Sequence, residues 1–396
     1  MTPLEGVRVV ENGLHLAGPY CGRLLAELGA EVIKVEPPSG ESNRRTAPAL
    51  GEDSLLFHYY NAGKKSVVID LKANEGKELM YSLIRVSDVF VTNYRPSALR
   101  RLGLDYEKLK SVNQKLIYTS ISGYGTQGEL GDLPGYDPLA QAETGLMIAN
   151  SPDGAPKVNA MSLDYAAASI AALATVAALL RREKTGEGEF IDIALYDVGV
   201  MYVFPWIAFE ISGLLRNVRG SRLMVFAPYN VYKTADGYVM IAIGEDEQWK
   251  RFIKLIGRDD LMNDPRLNTV RERVRNYDLV DDVVGSWAIQ IPSREVVRIV
   301  LEAGGAAAEV KRPISVLNDR FATKRNMVWK ADTPVGQIPI PGSAIKLGRD
   351  SPPPLGRAPT LGEHTAEVLA GLGLSRDEIS LLEKRGVISL GKGSIK

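Results

Sequence analysis

Val7 to Glu36 reads VRVVENGLHLAGPYCGRLLAELGAEVIKVE, and this stretch decides the fold. Val7–Glu11 is a short apolar strand, Gly13–Gly18 a loop, Pro19–Leu28 a helix opening with proline at its first position, and Glu31–Val35 a second apolar strand. Strand, helix and strand in succession form a βαβ unit, which commits the sheet to parallel pairing. The pattern continues with strands at Ser66–Asp70, Val89–Val91 and Leu116–Ser120 and a helix at Glu75–Arg85. The fold class is therefore α/β, with a doubly wound, Rossmann-like large domain over residues 1–200.

Working outward, the stretch that concentrates candidate chemistry is PKVNAMSLDYAAASIAALATVAALLRREKTGEGEFIDIALYD, Pro156 to Asp197. A helix is predicted from Asp164 onward, with eight alanines between Ala166 and Ala178, cations Arg181, Arg182 and Lys184 in its last turn, and Gly186 and Gly188 to end it. It is almost apolar all round, which predicts burial. Ahead of that last turn its only acid is at its mouth. Asp164 reads as an N-cap, stabilising the fold by ~1 kcal/mol, or as a desolvated carboxylate nucleophile kept ionised by the helix dipole.

Further on, Met201–Phe209 is aromatic and apolar, and Gly213–Arg222 is basic and glycine-containing, so residues 201–225 read as a linker. Tyr229–Lys233 and Tyr238–Ile243 alternate around a D-G turn, followed by helices near Trp249–Ile256, Tyr277–Ile289 and Arg294–Ala303, giving a small α+β domain over 226–320. Residues 321–396 read as an extended proline-rich return closed by helices at Thr365–Gly371 and Arg376–Lys384.

Composition narrows the function. Lys plus Arg equals Asp plus Glu at 48 each, so no global field recruits nucleic acid or an acidic membrane surface. The run Ala166–Leu180, interrupted by Ser169 and Thr175, falls short of the ~20 residues of a membrane span. A single cysteine, Cys21, excludes an internal disulfide and fits a reducing cytoplasm. The three histidines, His15, His58 and His364, are too dispersed for a metal motif, and only His15, in the first βα loop, is placed to line a site. Glu36, ending the second strand, imitates the ribose-binding acid of a nicotinamide-dinucleotide fold, but GLHLAGPYCG cannot be written G-x-G-x-x-G. Basic residues at loop positions, Arg44-Arg45, Lys64-Lys65, Lys72, Arg95 and Arg100-Arg101, favour a polyphosphate nucleotide at the carboxyl edge of the sheet.

An ordered set of motifs, LEGVRVVE, LHLAGP, LLAELGAEVIKVEPP, NAGKKSVVIDLK, EGKELM, SDVFVTNYRPSALRRLGLDYE, SISGYG, GYD, SLDYAAA, RREKTGEGEFIDIALYD, YKTADGYVMIAIG, DPRLNT and APTLGEHTAEVLAGLGLS, resembles the family III CoA-transferases across nearly the whole chain. The resemblance implies transfer of coenzyme A from an acyl-CoA donor to a carboxylate acceptor, with Asp164 as nucleophile passing through aspartyl anhydride and aspartyl-CoA thioester. It implies no permanently bound cofactor, CoA being co-substrate, and no metal. CoA is expected to touch Leu16, Ala17, Ile69, Lys72, Asn93, Tyr94, Arg95, Arg101, Tyr136 and Asp137, with His15 and Gly244 near the acyl group. Where relatives carry a base after the glutamate of VIKVE, Pro37 and Pro38 stand here, leaving Arg44 or Arg45 as substitutes.

The family also folds as an interlocked homodimer, and the Ile338–Pro359 stretch suits a chain returning to the large domain. Racemase relatives carry a histidine in the motif that reads GYD here. Tyr136 takes that place, and a tyrosine is a poor base at neutral pH, which favours transfer over racemisation of a CoA ester. The acids Glu245 and Asp246 keep the racemase reading in play, and a CoA-ester-binding protein without turnover is the reading from another class.

Overall fold

The computed structural model describes residues 2–51, 53–151, 154–214, 220–348 and 353–391. Residues 215–219 of the expected linker and 349–352 of the proline-rich stretch lie outside them. The chain divides into two compact units: Met1–Thr144 with Ala160–Val200 and Leu317–Lys396, and Gly145–Asn159 with Met201–Val316.

The first unit is built on β1 (Arg8–Asn12), β2 (Glu31–Glu36), β3 (Lys65–Ile69), β4 (Val89–Thr92), β5 (Ile117–Ser122) and β6 (Glu189–Ala194). These pair in parallel in the order β3-β2-β1-β4-β5-β6, the strand order of the doubly wound dinucleotide-binding sheet. The central strands lie buried because they are apolar on both faces: Val9, Val10, Val89, Phe90 and Val91 are all fully covered. Helix α1 (Ala17–Glu27) completes the first βαβ unit.

A short strand, Ile388–Ser389, adds antiparallel to the β3 edge, and a hairpin, Val328–Thr333 with Gly336–Pro341, precedes it. Both fall where the sequence reads as extended tail. Alternation decides the hairpin: Trp329, Ala331, Ile338 and Ile340 share one buried face with Ala62. Val368, Leu369, Ile379, Val387 and Ile388 join the core of the sheet.

Helix α2 is Asp137–Glu143, and α3, which carries the candidate nucleophile, runs from Ser162 to Thr185. At 24 residues α3 is longer than its apolar run, and by length and composition it could cross a membrane, as a core helix of a soluble protein also could. It packs on α1, β5 and β6 through Ala167, Ala168, Ala171, Ala172 and Ala178, whose small side chains permit close approach. Inside it, Thr175 bonds Thr119 of β5 at 2.8 Å, fixing the helix's register on the sheet. Burial on all sides, expected from the apolar composition, does not hold within this unit: Leu173 is 71% and Leu180 65% exposed, on the side that Tyr165 begins.

Helix α4 (Leu195–Ile211) continues through the residues expected to begin a linker, since MYVFPWIAFE extends its apolar run across Pro205. In the second unit, Tyr229–Lys233, Tyr238–Ala242 and Ala306–Glu309 form an antiparallel sheet. Helices Asp246–Leu255, Tyr277–Ala288 and Ser293–Glu302 pack around Trp249, Phe252, Val280 and Val300. Residues 145–159 also cluster here, although the sequence places them in the large domain.

Candidate active site

A cavity of about 370 Å³ opens where the loops after β1, β4 and β5 meet. It lies at the carboxyl edge of the sheet, where the strand order reverses between β1 and β4, the usual binding crevice of an open α/β sheet. Its lining includes His15, Leu16 and Ala17 after β1, Asn93, Tyr94 and Arg95 after β4, Ser122 and Gly123 at the end of β5, Gly135 and Tyr136 before α2, and Asp164 at the head of α3. The structure thus gathers eight of the sequence-derived residues at one cavity: His15, Leu16, Ala17, Asn93, Tyr94, Arg95, Tyr136 and Asp164.

The remainder stand elsewhere. Ile69 is fully buried at the end of β3, and Lys72 and Arg101 are exposed away from the cavity wall. Gly244 belongs to the second unit, where its N–H donates to Gln248 Oε1 at 3.2 Å and the Phe226 ring faces it. Asp137 is 2% exposed and absent from the lining. Its Oδ2 accepts the N–H groups of Leu163 at 2.7 Å and Asp164 at 2.9 Å, and Gln141 Nε2 donates to Oδ1.

This corrects the capping assignment. Helix α3 starts at Ser162, no side chain of its own caps it, and Asp137 supplies the acceptor from across the unit. Asp164 lies three residues past the cap position at Met161, so its carboxyl is left to face the cavity half-buried. It is not held ionised either. Burial, followed by the charge of Asp137, pushes its pKa up to about 7. The Asp164 and Tyr165 amides, which would otherwise be free to stabilise an oxyanion, are already donated to Asp137 and to the Met161 carbonyl.

The loop after β1 is held as tightly as the helix. Asn93 copies a peptide group, accepting the Leu14 N–H at 2.7 Å and donating to the Leu14 carbonyl at 2.8 Å. His15 takes a left-handed φ of 57°, sets Nε2 3.3 Å from Ser42 Oγ, and has its pKa lowered by burial and then by Lys34. The opposite wall was not legible in the sequence. Gly123 and Gly135 touch backbone to backbone, so a Cβ on Gly123 would lie 2.5 Å from the Gly135 Cα. Ser122 Oγ is buried at this wall without a hydrogen-bond partner among the described residues.

Half of the expected cationic edge is committed internally. Arg44 grips Glu36 with Nε to Oε2 at 2.6 Å and a second nitrogen to Oε1 at 2.7 Å, so Glu36 is no ribose ligand. Lys64 is buried against Glu11, Lys65 bridges Glu31 and Glu367, and Arg100 pairs with Asp132. Arg45, Lys72, Arg95 and Arg101 remain exposed.

A doubly wound sheet with a lined crevice at its switch point makes this an α/β protein with a ligand site at the carboxyl edge of the sheet. The profile of CoA-transferase family III matches residues 4–365, and the chain belongs to that family. It is 32% identical to the succinyl-CoA:D-citramalate CoA-transferase of Chloroflexus aurantiacus over 98% of both chains. It is 34% identical to the succinate:glutarate CoA-transferase of Agrobacterium fabrum, covering 93% of this chain and 96% of that one. Among solved structures, a CaiB/BaiF family protein from Brucella suis superposes with a TM-score of 0.83 at 32% identity, over 94% of this chain and 99% of that one. The protein is a CoA-transferase working between an acyl-CoA thioester and a carboxylic acid.

Proposed function

We propose that Asp164 is the nucleophile of this transfer and that the cavity takes the thioester end of CoA. The observation that carries the reading is the placement of Asp164: a half-buried carboxyl at the cavity wall, its backbone fixed by Asp137 and its side chain making no hydrogen bond or ion pair among the described residues. Its ionised oxygen adds to the donor carbonyl, the C–S bond breaks, and an aspartyl anhydride forms with CoA thiolate. The thiolate then adds to the aspartyl carbonyl, releasing the donor acid and leaving aspartyl-CoA thioester. An acceptor carboxylate displaces the thiolate to form the second anhydride, and the thiolate takes the acceptor's acyl group, returning Asp164 as carboxylate.

Desolvation favours each addition, since a carboxylate stripped of water attacks more readily and competing hydrolysis is suppressed. With the α3 amides engaged, the N-terminus of α1 is the proposed electropositive partner for the oxyanions. Leu16 and Ala17 border the cavity, and no side chain caps that helix. The cavity is at the small end for a ligand site, so the nucleotide end of CoA is assigned to the open edge, where Arg45, Lys72, Arg95 and Arg101 are exposed. Arg45 takes the place of the base missing at Pro37. The apolar side of α3, with Leu173 and Leu180 exposed, is consistent with the homodimer that the family resemblance implies.

The test is to mix the protein with acyl-CoA, quench with hydroxylamine and map the modified peptide. A hydroxamate at Asp164 is expected; turnover with the label on any other residue overturns the assignment. Substrate names of the two relatives put short dicarboxylic acids first in the donor and acceptor screen.

A further inference from the structure

The cavity loop is pinned from beneath by an ion cluster that the reaction does not use. Glu11 on β1, Lys34 on β2 and Lys64 before β3 are all buried. Glu11 Oε1 accepts from Lys34 Nζ at 3.0 Å and from the Gly13 N–H at 2.9 Å, while Oε2 accepts from Lys64 Nζ at 2.7 Å. Lys34 donates onward to the Gly13 carbonyl at 3.0 Å, and Lys64 to the Pro19 carbonyl at 2.6 Å and Asn61 Oδ1 at 2.9 Å. Gly13 and Pro19 bracket the segment whose Leu14, His15, Leu16 and Ala17 line the cavity. Two lysines sharing one carboxylate therefore clamp both ends of that segment.

Buried ion clusters are poor sources of stability, because desolvation offsets most of the attraction and a well-packed apolar set does as well or better. We infer that Glu11, Lys34 and Lys64 are positioning residues: they hold the backbone of residues 13–19 in the shape that receives CoA. The inference rests on the reading of the cavity as the CoA site.

The clamp has a titratable arm. Burial pushes the Lys64 ammonium down to about 8, against the pull of Glu11, and the Lys34 charge adds to the lowering. The groups facing it are Glu11 from β1, Lys34 from β2, Glu41 beyond β2, Asn61 from the preceding helix, and Cys21 with the Pro19 carbonyl from α1. For Lys34, burial opposes the charge, but Glu11, Glu41 and Glu36 outweigh it and hold the ammonium above its usual range, so it stays charged. Above pH about 8, Lys64 loses a proton and with it one of its three donated bonds. Between that point and the ordinary lysine value near 10.4, the unfolded chain binds a proton that the folded chain does not, so this group adds stability as pH rises. Loss of a bond in the clamp thus runs opposite to unfolding, which separates the positioning role from a structural one.

The experiment is calorimetric titration of the full-length protein with CoA from pH about 7 to about 9, with Tm recorded alongside, in an Asp164→Asn background that removes the titration of that acid. The expected result is a Kd weakening by about fivefold across the range with no parallel fall in Tm, and, in the Lys64→Met/Glu11→Gln double variant, a Kd weakened to the same degree at pH about 7 and flat thereafter. The double variant removes a charge pair together and so avoids stranding one partner. A flat Kd in the Lys64-containing protein, or a slope that persists in the double variant, overturns the inference. Arg95→Glu serves the separate question: CoA affinity unchanged by a negative charge in the wall would show that the cavity is not the CoA site.

Discussion

Asp137 accepts the backbone N–H of Asp164 at 2.9 Å while the charge of the same carboxylate opposes ionisation of the Asp164 side chain. One acid thereby fixes the other in space and helps raise its pKa toward neutrality, which suits the alternation between nucleophile and leaving group proposed for Asp164.

Replacing Asp137 with Asn separates the two effects. The amide oxygen can still accept from α3, so transfer should persist within about tenfold of the original. The opposing charge is gone, and the acid limb of the pH–rate profile moves to lower pH. Asp137→Leu removes the acceptor as well, costing about 1–2 kcal/mol of stability and most of the turnover. An unmoved limb in Asp137→Asn would show that burial alone sets the Asp164 pKa.

The elevated pKa of Asp164 also predicts an exchange of activity for stability. With a folded value of about 7, this group's favourable contribution is fully present below the unfolded value and is lost as pH rises through about 7. Asp164→Asn should therefore abolish transfer, by on the order of 10⁴-fold or more, and stabilise the protein by roughly 2 kcal/mol at pH about 8 but hardly at all near pH 4. Urea midpoints at the two pH values measure it. A gain that does not change with pH would mean the ionised carboxyl is not destabilised by its surroundings.

The parallel sheet and the position of Asp164 were readable because both rest on local pattern: apolar strands at Val9–Val10 and Val89–Val91, and one acid heading an alanine-rich helix. What was not readable depends on long-range partners. Lys64 and Arg44 look like loop cations until Glu11 and Glu36 are seen beside them in the core. Asp137 sits in a GYD motif that gives no sign of the helix it caps, twenty-six residues on at Leu163. The hairpin at Val328–Pro341 was hidden by prolines at outward-facing positions 339 and 341, which leave Ile338 and Ile340 free to alternate inward.

The glycine contact at the cavity wall is testable by one methyl group. Gly123→Ala would put its Cβ 2.5 Å from the Gly135 Cα, so the two loops must part. We expect a loss of about 1–3 kcal/mol in stability together with weaker CoA binding. Gly128→Ala serves as comparison, having nothing near its Cβ position, though its φ of 80° adds some strain. Equal effects at the two positions would show that backbone conformation, rather than the loop contact, governs the wall.

Arg44 provides the last test, because its partner leaves no room for compensation. Glu36 is 1% exposed, bonded also by Ser66 Oγ at 2.7 Å, and burial alone would raise its pKa, yet Arg44 outweighs that and holds it below the usual range. The guanidinium further stacks 3.9 Å over Phe57 and donates to the Pro359 carbonyl at 3.1 Å, tying the C-terminal return to the end of β2. Arg44→Met should cost about 3–5 kcal/mol, since it strands a buried carboxylate. Adding Glu36→Gln should recover a large part of the loss, because the stranded charge then disappears. A loss below about 1 kcal/mol in Arg44→Met would place the arginine among ordinary surface ion pairs and return it to the pool of cations available to CoA phosphates.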